Sequence, residues 1–308
     1  MEAEKRTLYL MGTVIQLWVD HRQSAYLLDQ AEEKLIDFEK RFSANDARSD
    51  LMAINQQSGL KPVRVSRDLF DLIAIGKEQS VLADSFLNIA IGPLIQEWRV
   101  GFKDANFPTE SRIKKLLPLI NPENIKLDTE KQWVFLEKKG MALDLGALAK
   151  GYFADKIIAF FKSQQAKAGF IDLGGNVLTF GEAQNHEDGN WRIGIQHPFL
   201  PRGNYATTIS VNNQSVVTSG IYERTFNWQG ESYHHIFDSQ TGYPIQSELA
   251  SLTIVSDESL TGEIWTTRLF GKEPAEIIRI LRGIKGIEGL VITTDGQMAH
   301  TEGLTSEG

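Results

Sequence analysis

The chain of 308 residues contains no cysteine. Disulfide bonds, zinc–thiolate sites, iron–sulfur clusters and thiol nucleophiles are therefore excluded. No apolar run approaches the ~20 residues that a membrane-spanning helix needs, so we expect no transmembrane segment. The N-terminal stretch MEAEKRTLYL has neither the apolar core of a signal peptide nor a cysteine for lipidation. We expect either a cytoplasmic protein or a trimmed form of an exported, membrane-anchored lipoprotein.

Positive charge is also scarce, because 32 Lys and Arg face 40 Asp and Glu and leave a net charge of -8. This balance argues against nucleic-acid partners and against docking on an anionic membrane. No G-x-G-x-x-G follows a strand pattern, which argues against a Rossmann dinucleotide domain. The absence of G-x-S-x-G and H-E-x-x-H leaves serine hydrolases of that type and zincins without support.

The hydrophobic pattern indicates a globular chain of mixed helices and strands. Helices are predicted to begin at Ser24 and Ser66 and to lie near residues 112–117, 147–163, 261–270 and 274–282. Strands are predicted at 7–19, at 170–173, over much of 191–255 and at 290–293, while 43–59 and 99–109 read as polar turns and loop. Because the elements show no regular βαβ alternation, we expect an α+β fold with largely antiparallel sheets. No linker or repeat divides residues 1–308, so a single domain is expected.

The most informative stretch is residues 218–241, TSGIYERTFNWQGESYHHIFDSQT. It combines a Ser-Gly turn, a hairpin turned at Gly230, and two adjacent histidines followed by Asp238. An imidazole such as that of His235 suits general-base catalysis near neutral pH. A histidine that only satisfies hydrogen bonds in the core or at the surface is the alternative.

Residues 146–151 have the G-x-x-x-x-G spacing of a phosphate loop, but Tyr152 stands where a Walker A motif needs Lys. Backbone N–H groups at the start of the following helix, with Asp144 before it and Lys150 one turn in, nevertheless suit an anion site. An ordinary loop-to-helix junction is the alternative. Segment 172–176 (DLGGN) similarly fits either a tight turn or close approach of the backbone to a ligand.

Glu263 and Thr267 are four residues apart in a helical segment, which places their oxygens on one face. A carboxylate and a hydroxyl are hard oxygen ligands of the kind Mg²⁺ prefers. A solvated glutamate and an ordinary helical threonine would show the same spacing.

Taken together, these segments resemble the FAD:protein FMN transferase family, also called ApbE. The resemblance covers nearly the whole chain, in family order, at segments 11–13 (MGT), 41–43 (RFS) with 49–55 (SDLMAIN), 92–98 (GPLIQEW), 143–152 (LDLGALAKGY), 172–176 (DLGGN), 218–224 (TSGIYER) and 235–244 (HIFDSQTGYP). It implies a T-fold-like architecture of two interleaved sub-structures. It also implies phosphoryl transfer, in which FAD is split, FMN is esterified to a Thr or Ser of an acceptor flavoprotein, and AMP leaves.

The resemblance further implies a role for each of twelve residues. His235 corresponds to the catalytic histidine. The implied Mg²⁺ ligands are the carbonyl of Ala147 and the side chains of Glu263 and Thr267. The implied FAD-binding positions are Met11, Asn45, Phe86, Leu87, Asn88, Asp144, Lys150 and Ile236.

Several positions depart from the family pattern, mostly among the cofactor contacts. Glu263 replaces the usual Asp, Asn45 replaces an aromatic residue, and segment 87–90 (LNIA) replaces F-D-x-T. Gln240 and Ile221 replace Arg and Asp. We expect weaker FAD affinity or a different choice of acceptor. A Mg²⁺-dependent FAD pyrophosphatase and a flavin-binding protein without turnover are the alternatives.

Overall fold

The computed structural model describes residues 3–304 and 306–307. These residues form eight α-helices: α1 Ser24–Phe42, α2 Asp50–Gln56, α3 Arg67–Ser80, α4 Gly92–Trp98, α5 Glu110–Leu116, α6 Ala149–Ser163, α7 Ser259–Leu269 and α8 Pro274–Arg282. They also form sixteen strands: β1 Glu4–Leu10, β2 Thr13–Asp20, β3 Val63–Arg64, β4 Ile125–Asp128, β5 Trp133–Leu136, β6 Ala168–Asp172, β7 Asn176–Phe180, β8 Trp191–Gln196, β9 Tyr205–Val211, β10 Ser215–Gly220, β11 Thr225–Trp228, β12 Glu231–His234, β13 Leu249–Ser256, β14 Glu288–Thr293, β15 Met298–His300 and β16 Ser306–Glu307.

An eight-stranded sheet in the order β1-β2-β6-β7-β10-β13-β14-β15 is the centre of the fold. Three smaller sheets accompany it, β16-β9-β8, β3-β5-β4 and the hairpin β11-β12. Every pairing between these strands is antiparallel. The predicted α+β class with largely antiparallel sheets is therefore confirmed.

Helix α1 shows how the sequence pattern builds the core. Its apolar residues repeat at three- and four-residue spacing and are buried, at Leu27, Leu28, Ala31, Leu35, Phe38 and Phe42. This face packs on β1, β2 and α6, and the ring of Phe38 stacks on Phe153 with centroids 4.5 Å apart. The result is a continuous hydrophobic core between the helices and one side of the large sheet.

Gly151 lies where helices α6 and α7 contact each other, and it has no room for a side chain. A Cβ atom at Gly151 would lie 2.7 Å from the Ser259 carbonyl oxygen and 2.8 Å from Glu263 Cγ. At the same crossing, the Asp155 carboxylate accepts hydrogen bonds from the backbone N–H groups of Ser259 and Leu260, at 2.7 and 2.9 Å. Asp155 thus caps the first turn of α7 from the neighbouring helix.

The structure corrects four sequence-based boundaries. Residues 7–19 belong to two strands rather than one, because Met11 and Gly12 form a turn with positive φ angles of 55° and 71°. Segment 43–59, predicted as turns, contains α2, whose first turn is capped by the Ser49 hydroxyl accepting from Met52 N at 3.0 Å. Helix α6 begins at Ala149 rather than 147, and β15 and β16 follow the strand that was predicted to be last.

Among the described residues, none of the helices combines the length and the apolar character needed to span a membrane.

Candidate functional site

Two residues from the predicted site, Lys150 and Glu263, meet where α6 and α7 cross. Lys150 Nζ lies 4.0 Å from Glu263 Oε1, and the Glu263 side chain is only 5% exposed. Asn176 Nδ2 donates a 2.9 Å hydrogen bond to the same Glu263 oxygen. Burial raises the pKa of Glu263, while Lys150 and Asn176 oppose that rise by stabilising the ionised form.

The predicted metal ligands differ in how they are presented. Thr267 is half-buried one helical turn beyond Glu263, whereas its neighbour Thr266 is fully buried and donates to the Glu263 carbonyl oxygen at 3.1 Å. Ala147 is exposed just before α6, and no donor to its carbonyl occurs among the described residues. Residues 3–304, whose side chains the structure describes, contain no group of three His, Asp or Glu side chains that could hold a metal ion. A cation here would therefore rely on one carboxylate and neutral oxygens.

The turn that precedes α6 is held by Asp144. Its Oδ1 accepts from Gly146 N at 2.8 Å, and its backbone N donates to the Ile89 carbonyl at 2.9 Å. Burial raises the pKa of the Asp144 carboxyl, and the positive charge of Arg224 opposes the rise. Gly146 and Ala147 remain exposed. The Gly146 N–H is used by Asp144, whereas the Ala147 N–H has no partner among the described residues and is accessible to an anion.

His235 follows β12 and is half-buried. Its Nδ1 lies 3.4 Å from the Arg224 carbonyl oxygen, an arrangement that favours a proton on Nδ1 and a free lone pair on Nε2. Burial, reinforced by the charges of Arg224, His234 and Lys150, lowers the pKa of His235 to about 4. The imidazole is therefore neutral, and able to accept a proton, at pH 7.

His234 has a different environment, although it is the adjacent residue. Its Nε2 donates to the Ile245 carbonyl at 2.8 Å, and its Nδ1 accepts from Ile236 N at 3.2 Å. Both ring nitrogens are thus used inside the protein, and the ring contacts Phe270 edge-on. His234 holds the segment that carries His235, and only His235 has a ring nitrogen left for chemistry.

The hairpin before His235 is anchored by an aromatic cluster. Trp98 is fully buried, donates from Nε1 to the Gly242 carbonyl at 3.0 Å, and packs against Tyr233, Phe237 and Tyr243. This packing fixes the two chain segments on either side of His235.

Segment 86–88 begins at the end of α7. Phe86 N donates to the Arg268 carbonyl at 3.3 Å, and its ring lies against Gly271, where a Cβ atom has no room. The Leu87 side chain is buried in the core. Asn88 is engaged at both ends, since its Nδ2 donates to the Ile120 carbonyl and its Oδ1 accepts from Ala90 N. The side chains at positions 87 and 88 are therefore both engaged within the protein.

The remaining predicted cofactor residues lie around this centre. Met11 forms the β1–β2 turn, with its N–H donating to Glu39 Oε1 at 2.6 Å. Asn45 is exposed between α1 and α2, and its side chain makes no hydrogen bond among the described residues. Ile236 packs against a separate apolar cluster that includes Leu269 of α7 and Ile277 of α8. Their roles toward FAD stay predictions.

Two residues near the site were not singled out from the sequence. Asn176 was read only as part of a glycine turn, yet it contacts Glu263 directly. The aliphatic part of Arg224 lies over Gly101, where an added Cβ would be 3.1 Å away, and its charge acts on both Asp144 and His235. In the sequence, Asn176 and Arg224 were noted only as parts of segments 172–176 and 218–224.

The model of the ApbE family matches residues 11–291. The chain belongs to the ApbE family. A relative from Klebsiella pneumoniae (strain 342), named FAD:protein FMN transferase, is 40% identical over 92% of this chain and 87% of its own length. A relative of the same name from Treponema pallidum (strain Nichols) is 31% identical over 97% of this chain and 87% of its own.

A solved structure also places the chain in the ApbE fold. The ApbE protein from Thermotoga maritima superposes with a TM-score of 0.88 at 26% identity, covering 98% of each chain. The resemblance to the ApbE family that the ordered sequence motifs indicated is thus confirmed.

Proposed function

We propose that this chain is an FAD:protein FMN transferase. It would cleave the pyrophosphate of FAD, attach FMN through a phosphoester to a Thr or Ser of an acceptor flavoprotein, and release AMP. The observation that carries the proposal is the grouping of Lys150, Glu263 and His235. Lys150 Nζ lies 4.0 Å from Glu263 Oε1, and the charge of Lys150 helps to lower the pKa of His235, whose imidazole is therefore neutral at pH 7. The names of the relatives support the same reaction.

Lys150 and the first turn of α6 would bind the phosphates of FAD. The exposed turn at Ala147 lies at the positive end of the helix dipole, and its N–H group has no partner among the described residues. The Lys150 ammonium, whose side chain is 33% exposed, adds a full positive charge one turn further along. Both features favour the pyrophosphate over the uncharged parts of the substrate.

His235 would act as the general base. As the acceptor hydroxyl oxygen bonds to the phosphorus of the FMN half, its proton passes to His235 Nε2, and the bond from that phosphorus to the AMP oxygen breaks. The hydrogen bond from Nδ1 to the Arg224 carbonyl holds the ring in the tautomer that this step needs. Arg224 and Lys150, whose charges lower the pKa of His235, would also stabilise the negative charge on the transferring group.

The residues present fit a magnesium ion. The carbonyl of Ala147, the carboxylate of Glu263 and the hydroxyl of Thr267 are hard oxygen ligands, and the first two have unused acceptor capacity among the described residues. A bound Mg²⁺ would neutralise charge on the phosphates and on the departing AMP. Glu263, the only carboxylate of the three, would supply most of the attraction.

Incubation with FAD and Mg²⁺, with and without an acceptor protein, tests the proposal. AMP release that requires the acceptor, together with flavin bound covalently to it, is the expected result. AMP release without acceptor would instead identify a pyrophosphatase. No AMP in either case would identify a flavin-binding protein, an outcome that the altered side chains at 87–90 make worth testing.

A further inference from the structure

Asn176 lies at the centre of a buried hydrogen-bond chain that ends on Glu263. Its Oδ1 accepts from the Ser259 hydroxyl at 2.5 Å, and its Nδ2 donates to Glu263 Oε1 at 2.9 Å. Asn176 and Ser259 are completely buried, and Glu263 is 4% exposed. These two hydrogen bonds therefore connect the first residue of β7 to two successive turns of α7.

The position of Asn176 is itself fixed by the preceding turn. Asp172 Oδ1 accepts from the backbone N–H groups of Gly174 and Gly175, at 2.8 and 3.3 Å. Both glycines have positive φ angles, 72° and 93°, and a Cβ at Gly174 would overlap the Thr13 side chain. The DLGGN turn (residues 172–176) thus fixes the position of the Asn176 amide against α7.

An amide is well suited to orient a carboxylate without neutralising it. Because an ionised Glu263 can only accept, the Asn176 NH₂ group must face it, and the amide oxygen must then face the Ser259 hydroxyl. One Glu263 oxygen is occupied in this way, and the other accepts no hydrogen bond among the described residues. The amide leaves the negative charge of the carboxylate in place, so Glu263 can attract a metal cation in addition to Lys150.

We propose that Asn176 is a positioning residue that orients Glu263 for binding of the divalent cation. The inference rests on the proposed function, since it is that reaction which requires a cation at Glu263. Asn176 would act through Glu263, without touching the metal or FAD. Removing such a partner of a metal ligand typically weakens metal affinity or activity about 10–100-fold.

The test compares Asn176→Ala with a control on the same strand, Thr179→Ala. Thr179 is 1% exposed and donates one hydrogen bond, to the Gln214 carbonyl at 3.0 Å, so its loss also removes a buried polar contact from β7. Two quantities are measured: Mn²⁺ binding to the protein without FAD, by electron paramagnetic resonance of free Mn²⁺, and the Mg²⁺ concentration for half-maximal AMP release.

We expect Asn176→Ala to weaken Mn²⁺ binding and to raise the half-saturating Mg²⁺ at least about tenfold, with kcat recovering at high Mg²⁺. Thr179→Ala should leave both unchanged. Unchanged Mn²⁺ and Mg²⁺ constants in Asn176→Ala, with only stability lowered, would overturn the inference. So would equal losses in both variants.

Asn176→Ser leaves a smaller cavity and a hydroxyl too short to bridge both partners, so it gives the same comparison should Asn176→Ala fail to fold. Failure of the proposed function is separable. A wild-type protein that flavinylates no acceptor, while its Mn²⁺ affinity still depends on Asn176, would contradict the transferase assignment and leave this inference intact.

Discussion

Replacing His235 with Asn tests the proposed base directly. The variant keeps a polar side chain of similar size but has no ring nitrogen to accept the acceptor proton. Loss of a positioned base costs on the order of 10²–10⁴ in rate, which corresponds to ~3–5 kcal/mol in the activation barrier. Binding of FAD should change little, because the phosphates are expected at Lys150 and the start of α6.

The lowered pKa of His235 adds a second, independent consequence. An unfolded histidine titrates near 6.5, whereas folded His235 titrates at about 4, so between these values the unfolded chain binds more protons. The fold therefore loses stability as the pH falls from about 6.5 to about 4, by at most ~3 kcal/mol from this residue. Asn cannot titrate, and His235→Asn should lose correspondingly less stability across that window.

Three measurements decide this prediction. Flavin fluorescence on denaturing gels reports transfer to the acceptor, FAD titration reports affinity, and urea unfolding at pH 7 and pH 5 reports the proton linkage. His234→Asn is the control. It breaks the hydrogen bonds to Ile245 and Ile236 and should cost about 1–3 kcal/mol of stability, while lowering transfer much less than His235→Asn does. Transfer that survives His235→Asn, or equal losses of transfer in the two variants, would refute the assignment.

Three further predictions concern the α6–α7 crossing. Lys150→Ala should weaken FAD binding about 10–100-fold, since a charge-assisted phosphate contact is worth ~1.5–3 kcal/mol; unchanged affinity in a titration would place the phosphates elsewhere. Glu263→Gln should raise the Mg²⁺ concentration needed for AMP release, and AMP release that persists in EDTA would contradict the metal assignment. Glu263→Asp restores the usual family residue, and a gain in activity would show that the departure carries a cost. Gly151→Ala should destabilise the fold by ~1–3 kcal/mol in urea unfolding, because the added methyl meets Ser259 and Glu263; an unchanged midpoint would show that the helices can separate freely.

The parts of the fold that were predicted correctly are those with a long regular pattern. The apolar stripe of α1, from Leu27 to Phe42, continues for about four turns and has no competing strand period. The prediction for segment 43–59 was wrong because α2 is only seven residues long, and the polar residues around it dominate the composition of the segment. The break between β1 and β2 was missed because Met11, a residue without turn preference, adopts the left-handed conformation there.

The candidate site was predicted unevenly for a similar reason. Glu263 was found because i, i+4 spacing is visible along a helix, and His235 because two adjacent histidines stand out. Asn176 is 87 residues from Glu263 in the chain. Their contact depends on two glycine φ angles and on a helix crossing, so no local sequence pattern predicts it. The cofactor roles of segment 86–88 were predicted from the family resemblance alone, and in the structure the side chains of Leu87 and Asn88 are both engaged within the protein.

The central claim is that the phosphoryl group goes to a protein hydroxyl. The most direct measurement is the ratio of AMP released to flavin bound, in reactions of the purified chain with FAD, Mg²⁺ and an acceptor flavoprotein that has one flavinylated Thr. The account predicts one AMP for each flavin attached, and neither product when that Thr is replaced by Ala. AMP release that continues with the Thr→Ala acceptor, or without any acceptor, would contradict it.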